Sequence, residues 1–151
     1  MHGEIMFRAK TILTALASLL WACSALAQPV SRTPLPPDHP LLGSWRLDLP
    51  SVNCYEVYDL RADGTTYVTS GAEVGESEFE LSLEPSAQGF YKWVDKITKD
   101  NGRPDCMGAV MEIGQVATNF ILLHPSGKEF LLCKTEDANA CIGPFVRLEG
   151  I

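Results

Sequence analysis

The sequence predicts an all-β domain: a small antiparallel barrel of about eight strands, with a β-sandwich as the alternative. Three observations carry that expectation. Short runs rich in aromatic and β-branched residues recur along the chain from Leu41 onward, and Gly, Asp, Asn and Pro turn signals separate them. One run, Glu76–Leu83, alternates with period two, placing Phe79, Leu81 and Leu83 on one face and Glu78, Glu80 and Ser82 on the other. About eight such runs recur at 8–12-residue spacing, the pattern of a sandwich or small barrel.

The elements follow in order. Ser44–Leu49 alternates after Gly43, and Tyr55–Leu60 is a second strand that stops at the hairpin signal Ala62-Asp63-Gly64. Thr65–Thr69 returns, Glu76–Leu83 is the fourth strand, and Phe90–Ile97 is a fifth that halts at Asn101-Gly102. Residues 107–117 are compatible with either a strand or a short helix. Asn119–His124, the turn Pro125-Ser126-Gly127, and Glu129–Lys134 form another hairpin, and Ile142–Leu148 closes the chain.

The N-terminus reads as an export signal spanning residues 1–27. Arg8 and Lys10 give a basic start, with Met6 a possible internal start just before them. Thr11–Ala22 is apolar, and Ala25-Leu26-Ala27 offers small residues where signal peptidase cuts. The apolar run is shorter than the roughly 20 residues a spanning helix needs. A rival processing site is Leu20-Trp21-Ala22-Cys23, where Cys23 would be lipidated. The bulky Trp21 fits that reading poorly, so cleavage after Ala27 is favoured. The expected location is periplasmic or secreted, with an outer-membrane lipoprotein anchored at Cys23 as the alternative. Residues 28–40 carry Pro29, Pro34, Pro36, Pro37 and Pro40, which predicts a semi-rigid spacer outside the core. The domain proper is 41–149.

Composition removes whole classes of function. Twelve Lys and Arg stand against 19 Asp and Glu, a net charge of −7. Loss of Glu4, Arg8 and Lys10 with the leader makes the remainder one unit more negative. A nucleic-acid surface needs clustered basic residues, so nucleic acid is not an expected partner. Of the five cysteines, Cys23 leaves with the signal. Cys54, Cys106, Cys133 and Cys141 then form an even set, read as two disulfides in an oxidising compartment. A zinc site would show Cys-x-x-Cys pairs, and none is present. Three connectivities are open.

No catalytic residue is nominated. His39 lies in the proline-rich segment and His124 beside Pro125, without a nucleophile elbow near either. Glu73, Glu76, Glu78 and Glu80 read as the wet face of one strand, which also guards a sheet edge. No phosphate-cradling loop is present and no cofactor is implied. Met107, Met111 and His124 suggest a soft copper site, but methionines beside apolar residues are more readily explained as core filling, and no metal is expected.

Leu42-Gly43-Ser44-Trp45 resembles the Gly-x-Trp motif that opens lipocalins and the looser bacterial lipocalin-like domains, and Leu60-Arg61-Ala62-Asp63-Gly64-Thr65 is similar to the turn that follows in the bacterial ones. The resemblance implies an eight-stranded up-and-down barrel whose Trp45 sits at the closed end, with Arg147 stacked over it as a plug. In such a barrel all four cysteines gather at the opposite, open end, and the preferred pairing is Cys54–Cys106 with Cys133–Cys141. The resemblance also implies a small apolar or amphipathic ligand held by Tyr55, Val57, Tyr67, Phe79, Leu81, Tyr91, Trp93 and Phe120, unless those side chains simply fill the core. The alternative function is an acidic protein-binding module, an inhibitor or immunity-type protein set against a cationic envelope enzyme or protease. It would act through Glu73–Glu84 and the loop Lys99–Asp105, with charge raising the association rate.

Overall fold

A computed structural model describes residues 30–150; the export signal and the processing alternatives at Ala27 and Cys23 lie outside the described residues. Eight antiparallel strands run in chain order and close on themselves. They are β1 (Gly43–Leu49), β2 (Cys54–Leu60), β3 (Thr65–Ser70), β4 (Glu73–Leu81), β5 (Phe90–Asp100), β6 (Val116–Leu123), β7 (Glu129–Cys133) and β8 (Cys141–Arg147). The sandwich alternative is therefore excluded. Closure comes from β8 pairing with β1, with Trp45 opposite Arg147 and Leu47 opposite Phe145. A closed sheet leaves no strand edge exposed, and an up-and-down order needs only local hairpins.

Two expected elements change. Residues 107–115 form neither strand nor helix; they belong to a long β5–β6 loop, and only Val116 and Ala117 of the ambiguous stretch join β6. The fourth strand begins at Glu73 and ends at Leu81, so Leu83 lies beyond it and is exposed.

Pleating sends alternate residues inward, and the inward set differs along the barrel axis. At the end where β1 starts, Trp45, Leu47, Leu60, Phe79, Phe130 and Phe145 are all at most 5% exposed. Their rings interlock: Trp45 meets Phe130 edge-on at 4.7 Å, and Phe130 stacks on Phe145 at 4.6 Å. The Trp45 indole N–H donates to Leu41 O at 2.9 Å. Arg147 lies over that indole, 4.0 Å from the ring centroid. Its Nε donates to Gly127 O at 3.0 Å, its Nη1 to Leu42 O at 2.7 Å, and its Nη2 to Pro40 O. One guanidinium thus ties the β7–β8 end of the sheet to the segment entering β1.

The proline-rich segment is not a detached spacer. Thr33 N donates to Phe79 O and Leu35 N to Ala62 O, while Leu35 and His39 are 5% and 7% exposed. Leu35 belongs to the same apolar cluster as Trp45. His39 sits edge-on to Tyr91 at 5.5 Å, and its Nδ1 accepts from Leu41 N. The prolines hold the strap extended, as composition predicts. The few apolar residues among them dock it across the closed end, which a reading weighted toward the prolines overlooks.

Both disulfides form in the preferred pairing, Cys54–Cys106 and Cys133–Cys141. Cys54 opens β2 opposite Leu49, and Cys141 opens β8 opposite Cys133, so both bridges brace the end away from the plug. They point to a non-reducing compartment. No described helix is long and apolar enough to cross a membrane.

The sequence separations of 52 and 8 residues give, in the chain-entropy treatment, about 4 and about 2.5 kcal/mol. Urea unfolding of the paired Cys→Ser variants is expected to rank them in that order, with C54S/C106S the weaker protein. In the same assay Arg147→Lys is expected to cost about 2 kcal/mol. An ammonium cannot reproduce a planar fork that bonds three carbonyls while stacked on an indole.

Candidate functional site

The other half of the interior is polar. Moving from plug to open end, the inward residues of β2 run Leu60, Tyr58, Glu56; those of β3 run Thr66, Val68, Ser70; and those of β4 run Phe79, Ser77, Gly75, Glu73. The β5 series runs Trp93, Asp95, Ile97 and then Asp100. Those nearer the open end (Glu56, Tyr58, Val68, Glu73, Gly75, Ser77 and the β5 series), with Ala117 and Asn119 of β6, Leu132 of β7 and the loop residues Asp105, Met111 and Gln115, enclose a cavity of about 230 Å3 open at the disulfide-braced end.

Its wall carries the inward carboxylates Glu56, Glu73, Asp95, Asp100 and Asp105, and no Lys, Arg or His. A β-bulge helps produce this. β4 and β5 shift register between Glu76 and Ser77, so Glu76 pairs with Lys99 while Ser77 pairs with Ile97. Thr98 is the extra residue, and its Oγ1 donates to Glu76 O at 3.2 Å. Uninterrupted alternation after Ile97 would turn Lys99 inward and Asp100 outward. The inserted residue reverses this: Lys99 reaches out to Glu76 at 2.9 Å, and Asp100 lies across from Gly75 on the cavity side.

Each carboxylate has a distinct environment. Glu56, 9% exposed, accepts from Tyr58 Oη at 2.8 Å and from Ser70 Oγ at 2.7 Å. Ser70 Oγ in turn accepts from Cys106 N at 3.0 Å, which couples the cavity wall near the mouth to the Cys54–Cys106 bridge. Burial, followed by the charge of Glu56, drives the Tyr58 hydroxyl pKa well up. Glu73 is 5% exposed, and its pKa is pushed up to about 7, first by burial and then by its hydrogen bond to Asp100 and the charges of Asp100, Asp105 and Glu56. Asp95 is pushed up to about 6 by burial, with a Ser77 hydrogen bond opposing. Asp100 Oδ1 accepts from Gly102 N, while its buried Oδ2 meets no amide or hydroxyl donor. A protonated Glu73 shares its hydrogen with the Asp100 carboxylate. Asp105 Oδ1 accepts from Met107 N and Ala109 N, both at 2.8 Å, and so shapes the loop at the cavity mouth.

One further buried atom is unpartnered. Trp93 is 4% exposed, yet its indole N–H has no acceptor. Among the described residues no three His, Cys, Asp or Glu side chains converge to hold a metal ion.

Of the eight residues expected to line a cavity, only Trp93 does so. Phe79 and Leu81 face inward but pack in the apolar core, and Tyr91 packs against that core beside His39. Tyr55, Val57, Tyr67 and Phe120 are corrected to the outer face. Tyr55 is 51% exposed under the Arg46 guanidinium, and Val57 pairs with the outward Arg46. Tyr67 lies beneath Arg61, and Phe120 sits between the inward Asn119 and Ile121. In β2, apolarity chose Tyr55 and Val57, but alternation back from the buried Leu60 chooses Tyr58 and Glu56. Glu73 is likewise corrected: it faces inward, opposite to Glu76, Glu78 and Glu80 on the same strand. Of those three, Glu78 pairs with Arg32 and Glu80 accepts from Ser31 N, so the strap covers part of the acidic face. His124 sits in the β6–β7 turn bonded to Ser126, at the barrel end opposite Met107 and Met111, so those three do not form a copper site.

No protein-family model matches the chain, and no curated protein or solved structure matches it either.

A carboxyl whose pKa is raised in the fold binds its proton more tightly folded than unfolded. Its unfavourable ionisation is absent below the unfolded value near 4.5 and is fully felt above about 7. Stability therefore falls as pH rises across that window. Glu73→Gln is expected to match the wild type in urea unfolding at pH 4 and to exceed it at pH 8 by about 2–3 kcal/mol.

Proposed function

We propose that this chain is an exported, non-enzymatic, lipocalin-like binding protein that holds a small amphipathic ligand in the open half of its barrel. The observation that carries this is the cavity itself: about 230 Å3 within a short barrel whose other half is tightly filled. Unused interior volume walled by carboxylates without counter-charges costs stability, and a ligand that fills it offsets the cost. The Arg147–Trp45 plug supports the lipocalin-like reading because it seals one end and leaves a single mouth. The disulfides keep that mouth from fraying. Small volume also limits the ligand, since sites for drug-sized molecules run from roughly 300 to 1,000 Å3.

A second reading, binding of a cationic envelope protein, draws support from the β5–β6 loop. There Met107, Val110 and Ile113 are 69%, 53% and 68% exposed beside the acidic mouth. Under that reading, triple substitution of these residues with Ser abolishes capture of a basic envelope protein and leaves small-molecule binding intact.

The ligand reading is tested by tryptophan fluorescence, because Trp93 forms part of the wall. Small aromatic and alkyl compounds (alcohols, carboxylates and amines) are titrated into the disulfide-bonded protein. Saturable quenching by at least one class is expected, and Ala117→Phe, which puts a ring into the cavity, is expected to abolish it while leaving the far-ultraviolet circular dichroism unchanged. Quenching that survives this substitution, or none from any compound, would overturn the assignment.

A further inference from the structure

The wall specifies the charge of its ligand, and this step rests on the cavity being a ligand site. We infer that the cavity takes a small organic cation, a protonated amine whose N–H groups reach Asp100, Glu73 and Asp95.

Three independent observations support this. The first is sign. Carboxylates come from β2, β4, β5 and the loop after β5 (Glu56, Glu73, Asp95, Asp100 and Asp105), and no basic side chain shares the wall. The nearby lysines are directed elsewhere, with Lys99 held outside by Glu76, and no ion pair among the described residues involves these five. Buried carboxylates without a counter-charge are costly, and where no protein cation is supplied, an incoming one meets no competitor.

The second is the Glu73–Asp100 pair, whose Oε1 and Oδ2 both lie within 4.0 Å of where a Gly75 Cβ would stand and which share a hydrogen when Glu73 is protonated. An apolar ligand or an anion offers nothing to that pair. An ammonium takes the place of the shared hydrogen, so binding displaces a proton.

The third is shape. The carboxylates are too dispersed for any three to close on one metal ion, whereas an organic cation spreads its contacts over several oxygens. Trp93 and Tyr58 stand beside them, and aromatic faces attract ammonium groups further. Ile97 and Leu132 provide the apolar surface for a short hydrocarbon body.

The test compares three probes of one skeleton, 2-phenoxyethylamine, 2-phenoxyethanol and phenoxyacetate, by calorimetry on the disulfide-bonded protein. The amine is expected to bind at least tenfold more tightly than the alcohol, and phenoxyacetate not measurably. Affinity for the amine is expected to rise about tenfold from pH 5 to pH 8, as Glu73 and Asp95 give up their protons. Glu73→Gln is expected to weaken the amine at least tenfold at pH 8 while making the fold more stable, a combination a merely structural role does not produce. Amine binding no tighter than that of the alcohol or the carboxylate overturns the charge inference. If those two bind and are lost in Ala117→Phe, the ligand cavity stands and only its charge preference falls. Failure of all three probes, and of the wider compound set, to give any Ala117→Phe-sensitive signal sinks both. Calcium chloride titrated alone should give no such signal; a saturable response to it would reassign the site to a metal ion and overturn the proposal.

Discussion

Closure of the sheet by β8 on β1 is the constraint on which everything else in this molecule depends, and Arg147 is the residue that locks it. An eight-stranded sheet left open would present two long edges and no interior. Pairing Trp45 with Arg147 across the seam creates an inside and seals one end of it. The guanidinium does three jobs at once. It covers the indole face, it satisfies carbonyls of the incoming strap, and it ties in Gly127 from the β6–β7 turn. The stacking alone contributes roughly 0.5–2 kcal/mol, and the carbonyl bonds explain why the fork geometry matters more than the charge.

With one end sealed, the interior divides along its axis. Large apolar side chains from seven strands fill the plug half, and the strap adds Leu35 and Leu41. Toward the open end the inward positions become small or charged: Ser70, Gly75 and Ser77 alternate with Glu56, Glu73 and Asp95. That arrangement makes a cavity rather than a continuous core, and it trades stability for unneutralised buried carboxylates. The disulfides lie at this same end, where covalent restraint supports a wall that apolar packing does not.

The bulge at Thr98 connects local backbone geometry to the chemistry of the site. A single extra residue in β5 exchanges the faces of Lys99 and Asp100, and hence the charge presented to the cavity. Through Ser70, the hydrogen-bond chain from Glu56 to Cys106 N ties the wall to the loop that borders the mouth. Charge, access and covalent framework are therefore set by neighbouring residues within one small region.

Much of the architecture was legible in the sequence, because it depends on features that act locally. Alternation and turn chemistry gave all eight strands, Gly-x-Trp with Arg147 gave the plug, and an up-and-down order placed four cysteines at one end in pairs that the structure forms. The site was not legible, for two physical reasons. A strand's period of two says that alternate residues share a face but not which face is inside. Apolarity is a poor guide wherever the interior is polar, so Tyr55 and Val57 were chosen over Glu56 and Tyr58. A bulge inverts the pattern without leaving a turn signal, so neither Asp100 inside nor Lys99 outside was apparent. The chain by itself determined that an all-β, disulfide-bonded domain of about eight strands forms, and its resemblance to lipocalin-like domains pointed to where it is plugged. Only tertiary structure decided that the other half is an acidic cavity, because the inward face is defined by closure across the β1–β8 seam, between residues nearly the whole domain apart in sequence.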